Sequence, residues 1–174
     1  PFDGFWNLKQ KKLCSIFSAF TILFLFNLTY ILMKTNTGFI FMEGDISQFN
    51  IFSAINSISL PFLLWCIVNW AFTTLLDGKG TFKDIFISTA YALIPFVLIN
   101  LPLTIISNFL IQQEASFYYF FLILSICWSI GLLFFGSMTI HDFTLSFNIL
   151  NVTVTIIGIG TVIFLGMLYI SIIA

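Results

Sequence analysis

Arginine is absent from this sequence, histidine occurs once, and charged residues make up only 7% of its 174 positions. A soluble domain carries roughly 25% charged residues, so this chain has too little charge to cover a water-facing surface. Six lysines against seven acids give a net charge of −1 and leave no basic face able to neutralise a run of phosphates. Soluble enzymes, disordered tails and nucleic-acid binders are thereby excluded. Cysteine is scarce as well. Cys14, Cys66 and Cys127 fall in three separate apolar runs with no CxxC pair and no nearby histidine. They read as small buried hydrophobes, not as disulfide partners or zinc ligands.

What the chain has in excess is apolar surface: 60% hydrophobic residues, 24 of them Phe, and a mean hydropathy of +1.10. A bilayer core of about 30 Å requires about 20 mostly apolar residues in a helix, which satisfies its own backbone groups. Five stretches qualify, at 13–33, 52–76, 85–110, 117–140 and 145–174. The fold class that follows is all-α: a polytopic integral membrane protein, one domain over 1–174, built as a five-transmembrane-helix bundle with a short amphipathic N-terminal segment at 1–12. The sequence opens at Pro1 and is read as a domain excised from a longer protein. Pro61 is expected to kink the second span or to mark the first turn of a shorter helix. Pro95 and Pro102 predict a bent third span whose freed carbonyls need other partners, one of them supplied by Asn100.

Short cytoplasmic loops collect lysine. With the N-terminus inside, Lys9, Lys11, Lys12, Lys79 and Lys83 are cytoplasmic and only Lys34 is outside, so the expected orientation is N-terminus in and C-terminus out, in the plasma membrane. No span interior carries a charge, which argues against a pump or an ion-coupled transporter. The spans do carry Asn27, Asn69, Asn100, Asn108, Asn148 and Asn151. These are expected to make interhelical hydrogen bonds, with a polar path as the alternative. Ser88/Ala92, Ser125/Ser129, Gly158, Gly160 and Gly166 are small residues that favour close helix packing, in a compact bundle or on a face that meets a partner.

Two segments are candidates for contact. In the first, Phe2, Phe5 and Trp6 stand at helical spacing ahead of Lys9, Lys11 and Lys12, as in an interfacial helix with its aromatic face at the headgroups. The second is the loop from Asp77 through Gly78, Lys79, Gly80, Thr81 and Lys83, the most polar turn between spans and a docking point for a partner. Its GKGT lacks the GxxxxGK[ST] spacing and a preceding strand, so nucleotide binding is rejected. His141-Asp142 has no nucleophile or third ligand near it in sequence, so no catalytic residue, cofactor or metal is expected. Asn27 and Asn151 begin N-x-T triplets inside spans and are expected to be unmodified.

Pro1-Phe-Asp-Gly-Phe5, the Asp77-Gly-Lys-Gly-Thr-Phe-Lys83 loop and Tyr91-Ala-Leu-Ile-Pro95 together resemble the bacterial branch of the Yip family, named for membrane proteins that bind Rab-type (Ypt) GTPases. The resemblance covers nearly the whole chain. For eukaryotic members it implies multi-pass proteins of the Golgi and endoplasmic reticulum that act with small GTPases in vesicle traffic. Within the residues given, this chain lacks the long region that those members place before their first span, and a GTPase is not expected among its partners. The expected function is a non-enzymatic scaffold that organises membrane partners. The alternative is a permease or accessory subunit of a transport complex, with Asn69, Asn100, Pro95 and Pro102 lining its path. The orientation is checked by Lys79→Cys, which should react with an impermeant maleimide only after the cells are opened; labelling of intact cells would reverse it.

Overall fold

In the computed structural model the described residues are 4–6, 15–41, 49–76 and 78–173. Phe2, Lys9, Lys11, Lys12, Cys14 and Asp77, given roles above, lie outside them. The described residues form helices and no strand. Five helical spans are long and apolar enough to cross a membrane: Ile16–Asn36, Ile51–Leu75, Phe82–Ile106, Gln112–His141 and Leu145–Ile172.

The first two helices start where a side chain meets their orphan N–H groups. Helix α1 (Ile16–Asn36) begins at Ser15, whose hydroxyl accepts the Ser18 N–H at 3.2 Å. Helix α2 (Ile51–Leu75) begins at Asn50, whose Oδ1 accepts the Phe52 N–H at 2.9 Å, and it runs on through Pro61. That proline therefore does not mark the first turn of a shorter helix.

The third span is two helices, α3 (Phe82–Ala92) and α4 (Ile94–Ile106), instead of one bent rod. The break is at Leu93, whose N–H turns back to the Ala90 carbonyl at 3.1 Å. Pro95 sits in the first turn of α4, where a missing N–H leaves nothing unsatisfied. Asn100 does not replace a partner lost to proline at the Leu98 carbonyl. Its amide donates to the Phe96 carbonyl at 2.9 Å and to Ser125 Oγ at 2.7 Å, on helix α5 (Ala115–His141). Helix α6 (Leu145–Ile173) closes the chain after Asp142, which takes a left-handed φ of 55°.

The broken span is central. It packs on α1, α2 and α5, and 39% of its most apolar window is buried, against 11% for the first and last spans. An apolar core forms where α1, α2 and α3 meet, at Ala19, Phe62, Cys66, Phe86 and Ala90, with the Phe62 and Phe86 rings edge to face at 5.2 Å. Elsewhere the polarity is inverted relative to a soluble domain. The largest fully buried side chains are His141, Asn69, Asn100, Asn148 and Asn151, while Phe17, Phe24, Leu75 and Phe109 stand exposed.

The buried amides work between helices. Asn69 on α2 donates to Thr155 Oγ1 on α6 at 3.2 Å; Thr155 donates to the Asn151 carbonyl at 2.8 Å; Asn151 donates to Ser137 Oγ on α5 at 3.2 Å. Asn148 reaches the Phe134 carbonyl at 2.9 Å. Each such bond contributes about 0.6 kcal/mol on average in a membrane, so the relay ties α6 to the bundle by several modest increments.

Three expectations about small residues divide. Ser88, Ala92, Ser125 and Ser129 are buried, and Gly158 lies against Phe72 and Val68 of α2. Gly160 and Gly166 instead face open space, because from residue 160 to 172 every position of α6 is exposed. Cys127 is exposed too, not buried. A Cβ at position 158 would press on the Phe72 ring, whereas one at 160 meets nothing within 4 Å. Both substitutions gain the same helix propensity, so Gly158→Ala should unfold at lower temperature than Gly160→Ala in detergent, by about 1–3 kcal/mol of overpacking. Circular dichroism melts of the two variants check this.

Candidate functional site

The bundle has two ends of different character. At one, Gly38 donates its N–H to Ser107 Oγ at 2.9 Å, Asn108 Nδ2 reaches the Asn36 carbonyl at 2.9 Å, and Phe41 stacks on Tyr118 at 4.6 Å. At the other, the loop at 78–81, the turn at 142–144 and the helical turn at 4–6 come together. The second end holds most of the residues singled out as contact candidates.

The local sequence explains its shape. Thr81 is the N-cap of α3: its N–H donates to Asp84 Oδ2 at 3.1 Å and its hydroxyl to the same oxygen at 2.6 Å, while the Asp84 N–H returns to Thr81 Oγ1 at 3.4 Å. This reciprocal capping box also sets a carboxylate at the positive end of the helix. Thr81 is thus engaged in starting a helix. Gly78 donates its N–H to the Thr73 carbonyl at 2.8 Å and closes α2. Its missing side chain matters, since a Cβ would sit 2.7 Å from His141 Nδ1. Gly80 is enclosed in the same way by Ile140 and His141.

His141 organises this end. It is the last residue of α5 and only 2% exposed, with its ring stacked on Phe143 at 5.2 Å. Nδ1 accepts the Gly80 N–H at 3.3 Å, so the proton of the neutral imidazole belongs on Nε2. Next to it, Asp142 Oδ2 lies 3.3 Å from Lys79 Nζ, with side chains 43% and 69% exposed. An ion pair that open to solvent contributes little stability; it orients Lys79 without hiding it. Lys83 is exposed on the first turn of α3.

Phe5 corrects the interfacial reading of the N-terminal segment. Its side chain is 5% exposed and packs at Gly136 of α5, beside Ser88 of α3. The absent Cβ at 136 makes the space that the ring fills, so Phe5 anchors the helical turn at 4–6 to the bundle instead of facing headgroups. Trp6, 50% exposed, keeps an outward position. Asn69 and Asn100 are fully buried interhelical donors, Asn69 lining a small cavity with Ile140 and His141 just beneath the loop, and Pro95 and Pro102 belong to α4.

A comparison with protein-family profiles matches residues 1–170 to the Yip1 domain. The chain belongs to the Yip1 domain family. No curated protein and no solved structure matches it. The Yip1 match takes in all five spans and both ends of the bundle, so the His141 clamp and the Phe5 anchor are parts of one family domain.

Sequence reasoning found the loop but not what it rests on. His141-Asp142 looked like an isolated turn; the two crossings between it and the loop, an even number, are the signal that places both on one side of the membrane, within reach. No local pattern linked Phe5 to Gly136. If His141 clamps the loop, His141→Ala removes about 1 kcal/mol of hydrogen bonding and should raise the open fraction about fivefold. Trypsin cutting after Lys79 in detergent should accelerate by the same factor; an unchanged rate would show that the loop is held by its glycines and cap alone.

Proposed function

We propose that this membrane protein is a non-enzymatic scaffold, which docks partner membrane proteins on its cytoplasmic end through Lys79, Lys83 and the neighbouring Trp6. The observation that carries the reading is the contrast within one loop. Its backbone is held by Gly78, Gly80, Thr81 and His141, yet Lys79 and Lys83 remain exposed at its crest. A preordered backbone presenting accessible charge loses little entropy on binding, which favours recognition over loop solvation alone. Lysines at the ends of spans also favour a cytoplasmic location for this end.

A second reading, a permease or transport subunit, draws on the buried oxygens of Asn100, Asn148 and Asn151, whose Oδ1 atoms have no hydrogen-bond partner among the described residues, and on the helix break at Leu93. Broken helices beside polar groups near the midplane are a common way to build a transport site. The amide nitrogens of the same residues are engaged between or along helices, which favours structural roles for them.

Affinity capture in mild detergent separates the two. The native protein should recover a defined set of membrane proteins, and Lys79→Glu combined with Lys83→Glu should lower that recovery at least about tenfold, a loss of about 1.4 kcal/mol. Asn69→Leu and Asn100→Leu should change melting temperature alone. Solute uptake into protein-containing liposomes that is abolished by Asn100→Leu, with no partner recovered, would establish the second reading instead.

A further inference from the structure

At the end opposite the His141 clamp, two cavities share one wall. The first, about 270 Å³, runs between α1, α4 and α5. Phe96, Leu122 and Ile126 line its depth, and Tyr30, Lys34 and Tyr119 stand toward its mouth. The second, about 230 Å³, lies on the other flank of Tyr30 and Lys34 and is lined by Asn50, Ser53 and Ser57. One cavity is thus mostly aromatic and aliphatic, the other rich in amide and hydroxyl groups, and the Lys34 ammonium borders both, 5.9 Å from the Tyr30 ring centroid.

We propose that these adjoining cavities form a binding site for one anionic phospholipid, with an acyl chain in the α1–α4–α5 cleft and the headgroup phosphate at Lys34. Depth supports the fit. Lys34 lies in the last turn of α1 and Tyr118 near the start of α5, the level at which aromatic and basic side chains meet headgroups. From Tyr118 to Ile126 the cleft descends about 12 Å at 1.5 Å per residue, most of a leaflet of about 15 Å, half of the hydrocarbon core. The cleft is open along its length to the outer surface of the bundle, since Tyr119 toward its mouth and Ile126 in its depth are 44% and 40% exposed.

Charge selects the headgroup. Lys34 is the cation that this end contributes among the described residues, Lys79 and Lys83 being at the other end. The Ser53 and Ser57 hydroxyls and the Asn50 amide add groups able to meet phosphate and glycerol oxygens.

The test is native mass spectrometry of protein reconstituted from equimolar phosphatidylcholine and phosphatidylglycerol vesicles. One phosphatidylglycerol should remain bound in preference to phosphatidylcholine. Lys34→Gln should reduce its retention about fivefold, the equivalent of about 1 kcal/mol per basic residue at a lipid surface, and leave phosphatidylcholine unchanged. Leu122→Trp, which fills the cleft, should expel both lipids, while Phe120→Trp on the outward face of the same helix should expel neither and controls for folding. Equal retention of the two lipids in the native protein, or retention indifferent to both Lys34→Gln and Leu122→Trp, overturns the site. Displacement of the lipid by inorganic phosphate overturns the acyl-chain part, because a bound chain is not released by a competing anion.

Discussion

Hydrocarbon offers no hydrogen bonds, and the rest of this structure follows from that constraint. Backbone groups are satisfied by winding nearly all the described chain into helices. Side-chain polar groups have two solutions, and both are used. Many threonines and serines fold back on their own helix, as Thr29 does to the Leu25 carbonyl and Thr104 to the Asn100 carbonyl, each at 2.7 Å. An asparagine has two amide hydrogens and an oxygen to place, so it is driven toward a neighbouring helix. The buried asparagines therefore mark where helices must meet, and the exposed Phe, Leu and Ile need no partner because lipid serves them as well as protein does.

This division explains which parts were legible in the sequence. The spans were, because hydropathy summed over about 20 residues is insensitive to single substitutions. Helix pairing was not. A soluble helix shows its core stripe, but these are apolar on nearly every face, and only the asparagines and small residues hinted at contact. They named one side of each contact and left the other unassigned: Asn100 pointed inward, yet nothing local indicated Ser125. The same ambiguity misplaced Cys127 and left open whether Gly160 and Gly166 pack within the bundle or lie on its outer face, since a small residue in an apolar helix serves a neighbour or faces outward with an identical local pattern. Pro95 was read as a bend within a helix because its position fits the interior of an apolar run. Leu93 ends one helix and leaves the proline in the first turn of the next, where it is well tolerated.

The candidate site shows the same limit at a loop. The residues of the Asp77–Lys83 stretch stood out by charge and glycine content, but their separate tasks became visible only through contacts distant in sequence. Gly78 and Gly80 make room for His141; Thr81 and Asp84 cap α3; Lys79 and Lys83 are left for solvent or a partner. A segment read from composition as one contact surface is therefore two populations, with the backbone and its caps fixed by the bundle and the lysines presented outward. Phe5 adds a third tie by filling the space at Gly136, so the helical turn at 4–6 belongs to the same end.

The two ends also differ in how rigidly a change at one is felt at the other. The helix break at Leu93 divides the central span, so α3 belongs to the His141 end and α4 to the Gly38 end, and both halves lean on α5. Helix α5 is continuous from Ala115 to His141 and carries Tyr118 near one end and His141 at the other. An unbroken helix transmits translation along its axis far better than a broken one. If a lipid at Lys34 and a partner at Lys79 influence each other, the coupling should run through α5, with Ser125–Asn100 and Gly136–Phe5 as the contacts that would have to shift. The requirement is a differential interaction, in which the lipid favours one position of α5 over another. A lipid that merely filled its cleft, with no such preference, would leave the loop end unchanged.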